Sequence, residues 1–144
     1  MNITAKSKYA VRALVELARR SSGTPVPLIS LAEARGISPQ FLEQLFSTLR
    51  RAGILQSQRG VYGGFSFNRP PGQITVLDVV EALDGPIEPA VCTTSESCER
   101  RPMCSVSDVW MQAKLAVEQV LTSVSIKELA DREAALQGSS MYYI

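Results

Sequence analysis

Three thiols at even spacing, Cys92-x5-Cys98-x5-Cys104, are the side chains of this 144-residue sequence best suited to chemistry. An odd number of thiols cannot pair off completely. The chain reads as cytoplasmic, without a signal peptide or a membrane-spanning run, and that setting disfavours structural disulfides, so metal ligation or thiol oxidation is the better use for these cysteines. The spacing is not the C-x2-C pair of structural zinc sites. Three thiolates carried on a loop can converge on one iron-sulfur cluster, which needs a fourth ligand. With no histidine anywhere in the chain, the nearby candidates are Ser107, Asp108, Glu96 and Glu99, or a group from a partner subunit. The sequence also lacks a second cysteine group and a nucleotide-binding glycine motif, which argues against an enzyme or an electron carrier.

A second set of residues suits recognition rather than reaction. Ser38-Pro39 marks a helix start, because a serine hydroxyl can accept from an otherwise unpaired N–H and proline is pre-set for the first helical position. In the helix that follows, Phe41, Leu42, Leu45 and Leu49 form an apolar face, and Gln40, Glu43, Gln44 and Ser47 fall on the opposite one. Glutamine can pair with the two groups that adenine exposes in the major groove, and glutamate can accept from the cytosine amino group. Arg50 and Arg51 suit phosphates, which fix register without reading sequence. Arg59, at the tip of a glycine-dense hairpin, suits the narrow minor groove. Each such face taken alone is an ordinary solvated surface. Charge adds weight: residues 1–70 hold ten Lys/Arg against three acids (+7), and residues 71–144 hold five against eleven (−6). A basic half that meets a polyanion and an acidic half that stays clear of it is the expected partition for a DNA-binding protein.

The elements that must position these residues follow from periodicity and punctuation. The pattern predicts helices over Lys8–Arg20, Leu28–Arg35 (closed by Gly36) and Ser38–Ala52, then short strands Ile54–Gln58 and Phe65–Asn68 around Arg59-Gly60-Val61-Tyr62-Gly63-Gly64. This order is a winged helix-turn-helix. A short helix over Thr75–Leu83 precedes a cysteine-bearing loop. From Val106, the positions Val106, Trp110, Ala113, Val117, Val120 and Val124 step by four and three as a heptad seam. That seam could dock on the chain's own domain; an inter-subunit role is preferred, because helix-turn-helix proteins usually read two half-sites as dimers. A last helix is expected over Ile126–Ala135, then a tail. The fold class is mainly α with a small β wing, divided into a DNA-binding domain (1–84), a cysteine loop (85–105), dimerisation helices (106–136) and a tail (137–144).

The opening Thr4-Ala5-Lys6-Ser7-Lys8-Tyr9-Ala10-Val11, the segment Gly36-Ile37-Ser38-Pro39-Gln40-Phe41-Leu42-Glu43-Gln44-Leu45-Phe46, the wing Arg59–Gly64 and the cysteine triplet together resemble the IscR-type iron-sulfur transcription regulators. The resemblance runs to about residue 135. It implies a homodimer on double-stranded DNA, a cluster on Cys92, Cys98 and Cys104 that is 2Fe-2S in preference to 4Fe-4S, and DNA contacts from Glu43, Gln44 and Arg59. Where IscR members carry a histidine three residues after the last cysteine, this chain has Ser107. Where nitric oxide-sensing relatives use an aspartate near the first helix, it has Lys8. Asp108 is the first choice for the fourth ligand and Ser107 the second. The alternative is a winged-helix regulator that uses thiol oxidation or zinc and no cluster.

Overall fold

A computed structural model describes residues 3–20, 23–90 and 105–141. Among the described residues, six α-helices and one hairpin follow in the order α1 (Ala5–Arg20), α2 (Leu28–Arg35), α3 (Pro39–Arg51), β1 (Leu55–Gln58), β2 (Gly64–Phe67), α4 (Val76–Asp84), α5 (Ser107–Thr122) and α6 (Ile126–Met141). A 3-10 turn, Pro71–Gln73, leads into α4. The mainly helical fold with a β wing is as the sequence indicates.

The core is one cluster in which α1 gives Ala10, Ala13, Leu14 and Leu17, α2 gives Leu31 and Ala32, and α3 gives Leu42, Leu45, Phe46 and Leu49. Burial of these apolar faces is what holds the three helices together, since helical stability in proteins comes mostly from tertiary packing of an amphipathic face. β1 and β2 pair antiparallel, with Leu55 opposite Phe67 and Gln58 opposite Gly64. Val26 extends this ladder: its N–H and carbonyl both bond Phe65, each at 2.9 Å. A side chain on Gly64 would run into the Val26 carbonyl, so glycine at that position permits the close approach of the α1–α2 connection to the wing.

Helix α6 runs past the expected end at Ala135, and residues 137–141, expected in a tail, continue it. It returns to α1, with Ile126 and Ala130 buried. Backbone bonds fix its start: Ile126 N–H donates to the Ile74 carbonyl at 2.9 Å, and Val76 N–H donates to the Val124 carbonyl at 3.0 Å. Helix α5 packs beside α4 yet buries none of its own residues.

The N-terminus of α1 is held from the far end of α4. Asp84 accepts from Thr4 N–H at 3.0 Å, from the Thr4 hydroxyl at 2.5 Å and from the Ser7 hydroxyl at 2.6 Å. Ser7 is the one buried polar side chain among the described residues, and this bond satisfies it. Burial pushes the Asp84 carboxyl upward in pKa, but the hydrogen bonds from Ser7 and Thr4 outweigh it, and the net direction is down. A carboxylate depressed in the folded state adds stability above its unfolded pKa, and that stability is lost as pH falls through the folded value. Asp84→Asn is therefore expected to destabilise the protein by about 1–2 kcal/mol at pH 7, the scale of a lost helix cap. The deficit relative to wild type should narrow below about pH 4, the ordinary carboxylate range. Urea unfolding at the two pH values checks this; a gap that does not narrow would show that the charge is not what Asp84 contributes.

Candidate nucleic-acid interface and sensor segment

The turn between α2 and α3 sets the start of α3. Gly36 takes the left-handed conformation (φ +63°) that ends α2, and Ile37 N–H donates to the Ala32 carbonyl at 2.9 Å while its side chain is buried. Only Ser38 separates this turn from Pro39 at the first position of α3. Ser38 occupies the cap position as expected, but its hydroxyl makes no capping bond; its carbonyl accepts from Leu42 N–H at 2.9 Å, and the start rests on proline geometry. Leu42, Leu45, Phe46 and Leu49 are the buried face. Phe46 belongs to that face although the expected set stopped at Leu45 and Leu49, and Phe41 is only half-buried.

On the other face, Gln40, Glu43 and Gln44 are exposed and line one shallow depression with Ser47, Thr48 and Arg51. The Thr48 hydroxyl donates to the Gln44 carbonyl at 3.1 Å, and Arg51 reaches Thr48 Oγ1 at 3.4 Å. Thr48 lies four residues after Gln44, the signal by which it could have been included. Arg50 turns the other way: its Nη1 donates to Ser57 Oγ on β1 at 3.0 Å, tying the end of α3 to the wing. Arg59 is exposed just beyond β1, apart from the α3 face. The two arginines at the C-terminal end of α3 also suit its negative dipole end. The site thus has an amide- and carboxylate-bearing face, an arginine at the hinge to the wing and another on the wing.

Cys92, Cys98 and Cys104 lie outside the described residues. Their flanks are described: Ile87 is buried, and α5 opens at Ser107 with Asp108 exposed in its first turn. Among the described residues no three His, Cys, Asp or Glu side chains converge as a metal site. None of the described helices is long and apolar enough to cross a membrane.

Residues 3–132 match the model of the Rrf2 family, described as an iron-dependent transcriptional regulator. The chain belongs to the Rrf2 family. It is 36% identical over 136 residues to the HTH-type transcriptional regulator IscR of Xenorhabdus nematophila, covering 94% of this chain and 83% of that one. It is 35% identical over 144 residues to the HTH-type transcriptional regulator CymR of Bacillus subtilis, covering all of both. The structure of that CymR, titled the global cysteine regulator of B. subtilis, superposes with a TM-score of 0.76 at 34% identity, covering 92% of this chain and 98% of that one. The structure of T. potens IscR gives 0.74 at 31% identity, covering 92% and 88%. This Rrf2 protein is accordingly a DNA-binding transcriptional regulator and not an enzyme. IscR and CymR are similar to it to the same degree, so membership alone does not choose between a cluster and thiol chemistry.

Proposed function

We propose that this Rrf2 protein is a homodimeric, cytoplasmic regulator whose cysteine segment holds an iron-sulfur cluster, 2Fe-2S in preference to 4Fe-4S, and alters DNA binding with cluster state. The observation that carries the reading is the thiol triplet placed directly before α5. Cys92, Cys98 and Cys104 supply three of the four ligands that a cluster needs, and the exposed Asp108 carboxylate stands four residues past the last of them. Ser107 is the second choice. When bound, the cluster would supply a redox- and iron-sensitive charge on the segment that precedes α5 in the sequence.

Dimerisation through α5 is supported by its exposure: Trp110 and Val120 of the heptad seam are 42% and 63% exposed in the single chain. On DNA, Gln40, Glu43 and Gln44 face the base edges from the first turns of α3, with Ser38 at its start. Arg50 and Arg51 bind phosphates, and Arg59 enters the minor groove. Coupling of about 1–3 kcal/mol, or 5- to 150-fold in affinity, would suffice for regulation.

A second reading, thiol oxidation or zinc without a cluster, is favoured by the missing histidine and by the full-length match to CymR. One experiment separates them. Protein isolated without oxygen is assayed for iron, sulfide and visible absorption, and its affinity for duplexes selected from a random pool is measured with and without the chromophore. Iron and sulfide in equal amounts, lost in Cys98→Ala and perturbed in Asp108→Ala, are expected. A colourless protein whose DNA affinity responds to oxidant alone would overturn the cluster reading.

A further inference from the structure

The two most exposed large apolar side chains among the described residues sit together at the wing tip, Val61 at 94% and Tyr62 at 91%. The backbone puts them there. Gly60 to Gly63 is a closed four-residue turn, with Gly63 N–H donating to the Gly60 carbonyl at 3.0 Å. Gly60 takes φ +115°, and a side chain on Gly63 would run into the Gln58 carbonyl. Val61 and Tyr62 are the two central residues, whose side chains project beyond the ends of both strands and cannot reach the core. The charge of this stretch of sequence fits a polyanion: no Asp or Glu occurs between Glu43 and Asp78, while Arg50, Arg51 and Arg59 do, and Arg59 is exposed two residues before Val61. The Arg50–Ser57 bond fixes the wing relative to α3. Val61 lies two residues past Arg59, so the minor-groove placement proposed for Arg59 carries the tip to the same groove.

We propose that Tyr62, with Val61 beside it, is an apolar minor-groove contact that packs against the sugar edges of the duplex and adds affinity that salt does not screen. The inference rests on the DNA-binding reading of α3 and the wing. It differs from the role of Arg59, whose contact displaces counterions and so makes affinity depend on salt. Apolar contact in the minor groove is a known way for a protein to add affinity there.

The test uses the full-length protein and a duplex enriched from a random pool by the wild type, with affinity measured across a salt series. Tyr62→Ala is expected to weaken binding on the order of tenfold, the scale of burying one large side chain, with the slope of log affinity against log salt unchanged. Tyr62→Phe should retain wild-type affinity, and Arg59→Ala should flatten the slope by about one. Hydroxyl-radical cleavage should return at flanking sugars in the alanine variant. Unchanged affinity in Tyr62→Ala, or a flattened slope like that of Arg59→Ala, would overturn the proposal while leaving DNA binding intact. Failure of the wild type to enrich any duplex would overturn both readings. Because Tyr62 touches no core, the variants should melt with the wild type.

Discussion

Phe46→Ala is expected to destabilise the protein by about 3–5 kcal/mol, the range for deleting a buried phenylalanine ring that its neighbours cannot collapse around. Phe46 is fully buried on α3 and meets Phe65 of β2 edge to face, with ring centres 5.2 Å apart at 72°. That contact is worth about 0.5–1.5 kcal/mol beyond area burial. The ring therefore belongs to two structures at once, the three-helix core and the floor of the wing. On the proposed DNA-binding mode, in which α3 and the wing enter neighbouring grooves, removing it should cost affinity as well as stability. Urea unfolding at constant protein concentration measures the first effect. At a temperature where the variant is folded, a weakened affinity for the selected duplex measures the second. Phe46→Leu keeps most of the volume and should cost less than half as much. A loss under about 1 kcal/mol in the alanine variant would mean that the core closes over the gap and that the two structures are independent.

Much of the reading head was legible because its signals are local. Gly36 is a glycine where a helix must end in the left-handed region, Pro39 is a proline where a helix can begin, and the amphipathic face of α3 repeats within thirteen residues. Paired glycines made the hairpin visible for the same reason. What was missed depends on residues distant in sequence. Asp84 caps a helix that begins eighty positions earlier, and nothing in its neighbours Leu83 and Gly85 announces this. Val26 joins the wing ladder from the α1–α2 connection, pairing with a residue thirty-nine positions later. The last helix is expected to end at Ala135, but residues 137–141 stay helical, and Gln137 accepts a hydrogen bond from Arg19 of α1. Local pattern weakens wherever polar tertiary contacts replace an apolar face. Ser38 shows the reverse error, a residue type suited to capping whose hydroxyl is not used for it. For the sensor, residue types and spacing narrowed the chemistry, but convergence of three thiols is a property of loop conformation, which no periodicity encodes.

The polar contacts of α6 make Arg35 the second position where a single change should have a large effect. Its Nη2 donates to Glu16 of α1 at 3.0 Å and to Glu133 of α6 at 2.8 Å, so one guanidinium from the end of α2 joins three helices. The group is nearly buried, with its side chain 13% exposed and those of Glu16 and Glu133 15% and 27% exposed. The hydrogen bond to Glu133 raises the Arg35 pKa against the opposing effect of burial. The same bond from Arg35 holds the Glu133 carboxyl below its ordinary range, against burial and helped by Arg19 and Arg12. Arg35→Met would preserve bulk and leave Glu16 and Glu133 without their shared cation, each keeping one more solvent-exposed partner, Arg20 for Glu16 and Arg19 for Glu133. The expected cost at pH 7 is about 2–3 kcal/mol, below the full penalty for breaking a wholly buried pair because some solvent reaches Glu133. Since the folded Glu133 pKa is depressed, the wild-type advantage is present above the unfolded value and declines as pH falls through the folded one. Acidification toward pH 4 should therefore narrow the gap between the two proteins, and adding Glu133→Gln to Arg35→Met should recover part of it at pH 7. A gap independent of pH would assign the effect to lost packing by the arginine stem. The consequence for regulation follows from chain order: α6 begins four residues after α5 ends, and its start is pinned to Ile74 and Thr75, the two residues just before α4. On the proposed dimerisation through α5, loosening α6 from α1 disturbs the helix that directly follows the dimer contact, so Arg35→Met should also weaken binding to a two-half-site duplex more than binding to a single half-site.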